Sequence, residues 1–304
     1  MPHVSEVADG IYQIEIDEAK TSGTAEPLRC STVYLIVADG QTALIETGPA
    51  VVAPVVLGTI RRLGHDPSRL SYILLTHIHL DHAGGAGTLA HQCPQLQVLV
   101  HQRGARHLVE PSRLIEGTRQ AFGERFEDEY GPIVPVPEGQ VRAVDDGEVI
   151  PLGERELRII YAPGHAPHHM CIYDTKSQGI FSGDALGTPP IESNIVLTVA
   201  GFDLDSALES IDKLSQLNPK VVFFSHGGVS RETARLMQSL RANTKAYGDI
   251  ILGALKVGEG KEQMARRLGA YHSKLIPGEY HLEEHRFEHI IPWYVAHFKR
   301  KGVA

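Results

Sequence analysis

Residues 11–16, IYQIEI, alternate apolar and polar side chains, the period-2 pattern of a strand with one face in a core. Two further apolar runs, STVYLIV (31–37) and TALIET (42–47), flank ADGQ, whose Asp39-Gly40 pair suits a tight hairpin turn. The spacing then changes. VVAPVVLGTIRRLG (51–64) has the length and apolar period of a helix, ended by the Gly64-His65-Asp66-Pro67 stretch. LSYILLT (70–76) is again short and β-rich, so His77 falls where a strand gives way to a loop. AGTLAHQ predicts a helix, LQVLV a strand and QRGARHLV another helix.

From Pro111 to Glu138 the rhythm breaks, with scattered prolines and the acidic, aromatic run FGERFEDEYGP. This segment is expected to be an insertion, a partly helical lid or wall. Strands resume in VRAVDDGEVIPL and RELRIIYAP. A hairpin is expected across HMCIYD-TKSQG-IFSGD. SALESIDKLSQL reads as an amphipathic helix and KVVFFSH as a buried strand ending in histidine. After about Ser230 the strand signals stop, and RETARLMQSLRANTKAYGDIILGALKVG, KEQMARRLGA and FEHIIPWYVAHFKRK read as helices. The expected plan is a mixed α/β (α+β) catalytic domain over 1–230, with the 111–138 insertion, and a helical C-terminal extension over 231–304.

Composition narrows the function. With 304 residues, 42% hydrophobic and 22% charged, the chain can bury a sizeable core. A formal net charge of −8 argues against nucleic acid as a partner. No stretch approaches the roughly 18 apolar residues of a membrane span, and no basic segment leads into an apolar one near Met1. The expectation is a cytoplasmic protein acting on a small-molecule substrate. Cys30, Cys93 and Cys171 are widely spaced and form no CxxC pair, so neither a disulfide framework nor a cysteine zinc knuckle is predicted. Seventeen histidines are many for this length.

Their placement matters more than their number. THIHLDHAGG (76–85) puts His77, His79, Asp81 and His82 directly after one predicted strand. His165 follows RIIYAPG, Asp184 follows GIFSG and His226 follows KVVFFS. Metal-type side chains thus collect at strand C-terminal ends, where open sheets gather their sites. Imidazole with carboxylate suits zinc, iron or manganese. The His-x-His spacing lets two rings grip one ion, the adjacent Asp81-His82 pair can turn toward a second, and Asp184 can bridge them. Glycines flank these loops, consistent with tight turns.

THIHLDHAGG, APGHAPHH, FSGD and SHGG, in that order, closely resemble the metallo-β-lactamase superfamily and, within it, the glyoxalase II-like hydrolase branch. The resemblance covers roughly Val4 to Gly228. It implies an αββα sandwich with two divalent metal ions at one edge, zinc first among the candidates and iron or manganese after it. It assigns His77, His79 and His165 to one ion, Asp81, His82 and His226 to the other, and Asp184 as the bridge. Asp81 would also orient the attacking water as the catalytic carboxylate. Where the family strand ends Asp-Thr-Gly, this chain has Glu46-Thr47-Gly48. Glu46 is expected to orient the site from behind the ligands with a longer arm, or to be a plain strand end. His169 matches a family histidine that packs behind the metal loops. No cysteine sits at a motif, and no GxSxG nucleophile elbow is present.

The function so implied is hydrolysis of a small ester, thioester or lactone by dinuclear-metal-activated water. Two alternatives share the motif: a mononuclear iron dioxygenase of the persulfide-dioxygenase type, and a phosphodiesterase or nuclease. Specificity is expected in the 111–138 insertion, in GTPPIESNIV after Asp184 and in the helical tail. Arg231, Arg235, Arg241 and Lys245 form a basic i, i+4 stripe that reads as a solvated helix face or an anion-binding one. Trp293 and Tyr294 are expected to pack the last helix against the core.

Overall fold

The computed structural model describes residues 2–16, 31–276 and 284–303; Cys30 lies outside them. The chain divides into two compact units. The first comprises Met1–Tyr161, Met170–Gly183 and Lys220–Arg231, the second Ala162–His169, Asp184–Pro219 and Glu232–Ala304.

The first unit holds two sheets. One has seven strands in sequence order: β1 (His3–Ala8), β2 (Ile11–Ile16), β3 (Ser31–Ala38), β4 (Gln41–Ile45), β5 (Leu70–Leu74), β6 (Gln97–His101) and β7 (Val141–Val144). The first four pair antiparallel, and β4 through β7 pair parallel. The β3–β4 turn places Asp39 at φ 47° and Gly40 at φ 75°, the left-handed pair that a two-residue hairpin requires. Parallel strands need crossovers. These are supplied by α1 (Ala53–Arg62), then α2 (Leu80–Ala83) with α3 (Ala86–Gln92), then α4 (Gln102–Val109) with α5 (Ser112–Phe122) and α6 (Phe126–Tyr130).

The second sheet has six strands: β8 (Val149–Leu152), β9 (Arg155–Tyr161), β10 (Met170–Asp174), β11 (Gly179–Phe181), β12 (Val221–Phe223) and β13 (Val229–Ser230), in the order β13-β12-β11-β10-β9-β8. The sequence run VRAVDDGEVIPL therefore does not form a hairpin within one sheet. Its Asp145–Glu148 turn carries the chain from β7 in the first sheet to β8 in the second.

Period 2 explains why β3 is apolar almost throughout. Tyr34 and Ile36 join a core shared by both sheets with Ile45, Ile159, Ile172 and Phe223. Val33 and Leu35 point the other way, into a core completed by Val56 and Ile60 of α1 and Leu89 of α3. A strand covered on both faces has no polar face to show. Each such aliphatic side chain contributes about 1.5–3 kcal/mol on burial.

The 111–138 segment is partly helical, and its Phe126 and Tyr130 form a small core with Leu80 of α2. Gly87 of α3 makes room for it, since a Cβ there would lie 1.8 Å from the Val134 carbonyl oxygen. Cys93 and Cys171 are both buried. Burial pushes the Cys93 thiol up to about 11, which marks it as a packing residue rather than a nucleophile.

One buried ion pair has no counterpart among the sequence expectations. Arg155, at the start of β9, is 1% exposed and donates through Nη1 to Asp174 Oδ2 at 2.7 Å. Its Nη2 donates to the Asp9 carbonyl in the β1–β2 turn. Asp174, itself 0% exposed, also accepts from the Ser177 amide at 2.9 Å. A single guanidinium thus ties a turn of one sheet to a turn of the other.

The second unit contains the helices α7 (Leu204–Ser215), α8 (Thr233–Lys256), α9 (Lys261–Leu275) and α10 (Ile291–Lys301) together with the loops 162–169 and 184–203. Tyr294 is fully buried, its ring tilted against that of Phe202 at 4.8 Å and its hydroxyl donating to the Thr244 carbonyl at 3.1 Å, so α10 is pinned to α8 as the sequence suggested; Trp293 is half-buried. The basic stripe is spoken for: Arg235 bonds Glu232 and Glu192, Arg241 grips Asp212 with two hydrogen bonds, Lys245 pairs with Asp249, and Arg231 bonds the Val7 carbonyl. It is a salt-bridged helix face, which leaves little positive charge for an anion. Among the described residues no helix is long and apolar enough to cross a membrane.

Candidate metal centre

In the first unit the tract 76–82 leaves β5 and turns at once into α2, with His79 as its N-cap residue. The His82 and Ala83 amides bond back to the His79 carbonyl, so the loop closes within one turn. Thr47, just beyond β4, fixes it: its amide and its hydroxyl both donate to the His82 carbonyl at 2.8 Å. This compaction brings the His77 and His79 rings to 4.5 Å and the His77 and His82 rings to 4.0 Å between centroids. The His226 ring, delivered by the loop after β12, lies 5.2 Å from that of His82.

Asp81 completes this group. Its Oδ2 lies 3.4 Å from His82 Nε2 and 3.6 Å from His226 Nε2. Donor atoms of Asp81, His82 and His226 all fall within 4.8 Å of one another, as do those of Glu46, His77 and His82. Enclosure raises the Asp81 pKa, but His82 and His226, through charge and hydrogen bonds, outweigh it and hold the carboxyl well below the usual carboxylate range. His77, His82 and His226 are buried, His79 is half-buried, and about a third (32%) of the Asp81 side chain stays open.

Glu46 stands behind these rings. It sits at φ +64°, a left-handed conformation rare for a residue with a side chain. Its Oε1 accepts from the Thr76 hydroxyl and, at 3.4 Å, from the Ser225 hydroxyl, and lies 3.3 Å from His82 Nδ1. Its Oε2 accepts from the Thr76 amide at 3.4 Å. Because the single Thr76 hydroxyl proton goes to Glu46, the His77 Nδ1 that lies 3.0 Å from that oxygen acts as a donor to it. His77 and His82 are therefore both held through Nδ1, and His82 Nε2 faces the Asp81 carboxylate. One carboxylate at the end of β4 orders the residues just before His77 and just before His226.

In the second unit His165 and Asp184 meet, His165 Nε2 lying 3.4 Å from Asp184 Oδ2. His165 Nδ1 is 2.8 Å from the Leu197 carbonyl, so that nitrogen carries the proton and Nε2 faces the carboxylate. His169 accepts the Asp184 amide proton through Nε2 at 3.1 Å. Gly164 permits this loop: it adopts φ +143°, and a Cβ would lie 2.5 Å from the Ala207 Cα of α7. Each unit thus brings its own predicted site residues together. Thr47, Thr76 and Ser225, which orient them, carry no sequence signal beyond standing next to a marked residue.

Neutral imidazoles and carboxylates converging at such distances form a donor set that fits zinc, iron or manganese. Comparisons with known proteins show the family. A family profile, that of the metallo-beta-lactamase superfamily, matches residues 29–226. A metallo-beta-lactamase fold-containing protein of Sulfurisphaera tokodaii, ST1585, is 30% identical over 68% of this chain and 77% of its own. An atrochrysone carboxyl ACP thioesterase of Aspergillus fumigatus is 27% identical over 66% of this chain but only 53% of its own length. An N-acyl homoserine lactonase of Bacillus thuringiensis is 27% identical over 60% of this chain and 65% of its own. Among solved structures, the metallo-beta-lactamase family protein TTHA1429 of Thermus thermophilus superposes with a TM-score of 0.69 at 22% identity, over 98% of this chain and 95% of that one, and so shares the fold. With two sheets flanked by helices, histidine-rich strand ends and a profile match across most of its length, the chain belongs to the metallo-beta-lactamase superfamily.

Proposed function

We propose that the protein is a metal-dependent hydrolase of a small ester, thioester or lactone, of the glyoxalase II-like kind, working with two divalent cations, zinc foremost. The observation that carries this reading is the Asp81, His82 and His226 donor cluster, three side chains from α2 and from the loop after β12 with ligand atoms within 4.8 Å of one another. In the proposed arrangement His77, His79 and His165 would hold one ion and Asp81, His82 and His226 the other, with Asp184 as a ligand shared between them. The relatives named as a lactonase and a thioesterase support an acyl substrate. A bound pair of such cations supplies Lewis acidity and brings the pKa of water from 15.7 toward about 7.

The chain's own residues do the rest. Asp81, ionised at neutral pH, orients the attacking water and accepts a hydrogen bond from it. The Nδ1 bonds of His77 to Thr76, of His82 to Glu46 and of His165 to Leu197 fix each imidazole tautomer before any ligand arrives. No serine or cysteine nucleophile is needed.

Elemental analysis of the purified chain should give two divalent metals per molecule. Exhaustive chelation should abolish turnover of a panel of thioesters and lactones, and added zinc should restore it. Undiminished activity in the metal-free protein defeats the reading. Glu46→Gln supplies a finer check. The glutamine keeps the reach of Glu46 but has one acceptor oxygen where the carboxylate has two, facing Thr76, Ser225 and His82. Zinc affinity measured by chelator competition is expected to fall about 10–100-fold, the usual effect of losing a partner that orients metal ligands. Wild-type affinity in the variant would show that Glu46 is a plain strand end.

A further inference from the structure

The helical C-terminal region has no assigned task in this chemistry. Its hydrogen bonds give it one. Asn243, on α8, is 2% exposed and is not itself a candidate ligand. Both ends of its amide are bonded: Nδ2 donates to the Glu192 carbonyl at 2.8 Å and to the Asn194 carbonyl at 3.1 Å, while Oδ1 accepts from the Tyr271 hydroxyl of α9 at 3.0 Å. The next residue continues the contact, Thr244 Oγ1 accepting from the Val196 amide at 3.1 Å.

The loop gripped in this way runs between two candidate ligands. On its Asp184 side, Asn194 Nδ2 donates to the Leu186 carbonyl at 2.7 Å and Oδ1 accepts from the Thr188 amide at 2.8 Å. Gly187 bends the chain at φ +66° to allow this, and a Cβ there would lie 2.0 Å from Asn194 Oδ1. On the other side, Leu197 holds His165 Nδ1 through its carbonyl. A continuous series of bonds therefore runs from Tyr271 through Asn243 to the loop, and from the loop to both His165 and the residues just after Asp184. A buried amide whose two N–H donors and oxygen are all bonded is a rigid and specific connector, because breaking one bond leaves an unsatisfied polar group inside.

We propose that Asn243 is a positioning residue for the metal centre, setting the placement of His165 and Asp184 through the 186–197 loop, and that the helical extension is part of the metal site's support. This rests on the proposed metal-dependent function. The same bonds explain why the compact second unit includes the 162–169 and 184–203 loops with helices that lie much later in the chain.

The test is zinc binding by the full-length chain, measured by chelator competition, for wild type, Asn243→Ala, Tyr271→Phe and, as a control, Arg241→Ala. Arg241 lies close by on α8 but serves only the exposed ion pair with Asp212. Asn243→Ala is expected to weaken one of the two zinc ions by about 10–100-fold, and Tyr271→Phe, which frees the amide without removing it, by a smaller factor. Arg241→Ala should leave both affinities alone. Hydrogen exchange of the metal-free protein should show the Thr188 and Val196 amides exposed faster in Asn243→Ala, whatever metal does. If Asn243→Ala does not fold, Tyr271→Phe and Thr244→Val decide, and unchanged zinc affinity in both overturns the proposal. Two zinc ions bound with wild-type affinity in a folded Asn243→Ala overturn it alone. A wild-type chain that binds no zinc overturns instead the function on which it rests.

Discussion

Asp81→Asn is expected to lower kcat on the best lactone or thioester substrate by about 10³-fold, within the usual range for losing a positioned proton acceptor. The substitution is nearly isosteric, so the loop that closes between Thr47 and His79 should survive, and thermal unfolding should shift little. What disappears is charge. The Asp81 carboxylate lies within 3.6 Å of both His82 and His226, and those two rings keep it ionised against its own enclosure. Asparagine offers a neutral oxygen and an N–H₂ group in the same space, and can neither ligate a cation with the same strength nor take a hydrogen bond from water with the same basicity. Metal content should be measured alongside. Turnover within about threefold of wild type, with metal retained, would remove Asp81 from the chemistry.

The largest stability effect should come from a residue far along the chain from that cluster. Arg155→Met is expected to destabilise the protein by about 3–5 kcal/mol in urea unfolding, the range for removing one member of a buried ion pair. The loss has two parts. Asp174 is left charged and buried with only the Ser177 amide to answer it, and the Asp9 carbonyl loses its donor. The double variant Arg155→Met/Asp174→Leu should recover much of the deficit, because the stranded charge goes with it. Recovery should stay incomplete, since the bonds to Asp9 and Ser177 are not restored. A single variant within about 1 kcal/mol of wild type would mean that water or a rearranged side chain satisfies Asp174.

These two residues differ in how legible they were. Asp81 stands in a tract that crowds three histidines and an aspartate into six positions, and residue type alone marks it as a candidate. The strands were legible for a similar reason: β2 alternates, β3 and β5 are short apolar runs, and Asp39-Gly40 is a turn by chemistry. Arg155 is one arginine in RELRIIY, and nothing local distinguishes a strand-end arginine in solvent from one locked on Asp174. The passage from β7 to β8 was equally hidden, because a turn sequence says that the chain reverses, not which sheet it joins. Asn243 is the extreme case. Its partners Glu192 and Asn194 lie some fifty residues away, and an asparagine within a helix carries no mark of what it holds. The division of the chain followed the same rule. Strand signals end near 230, yet the helices after that point pack in one unit with two loops that precede them, a grouping made by long-range contacts rather than composition.

The left-handed backbone at Glu46 sets how that position can vary. Glycine would relieve the torsion but surrender the carboxylate. Most other residues would surrender the carboxylate and keep the torsion, at about 1–3 kcal/mol for a conformation that side chains avoid. Aspartate, better tolerated there, keeps the charge and loses only a methylene of reach. Drift at position 46 is thus confined to a corridor between two acids, and a library randomised at this codon should return glutamate and aspartate and little else.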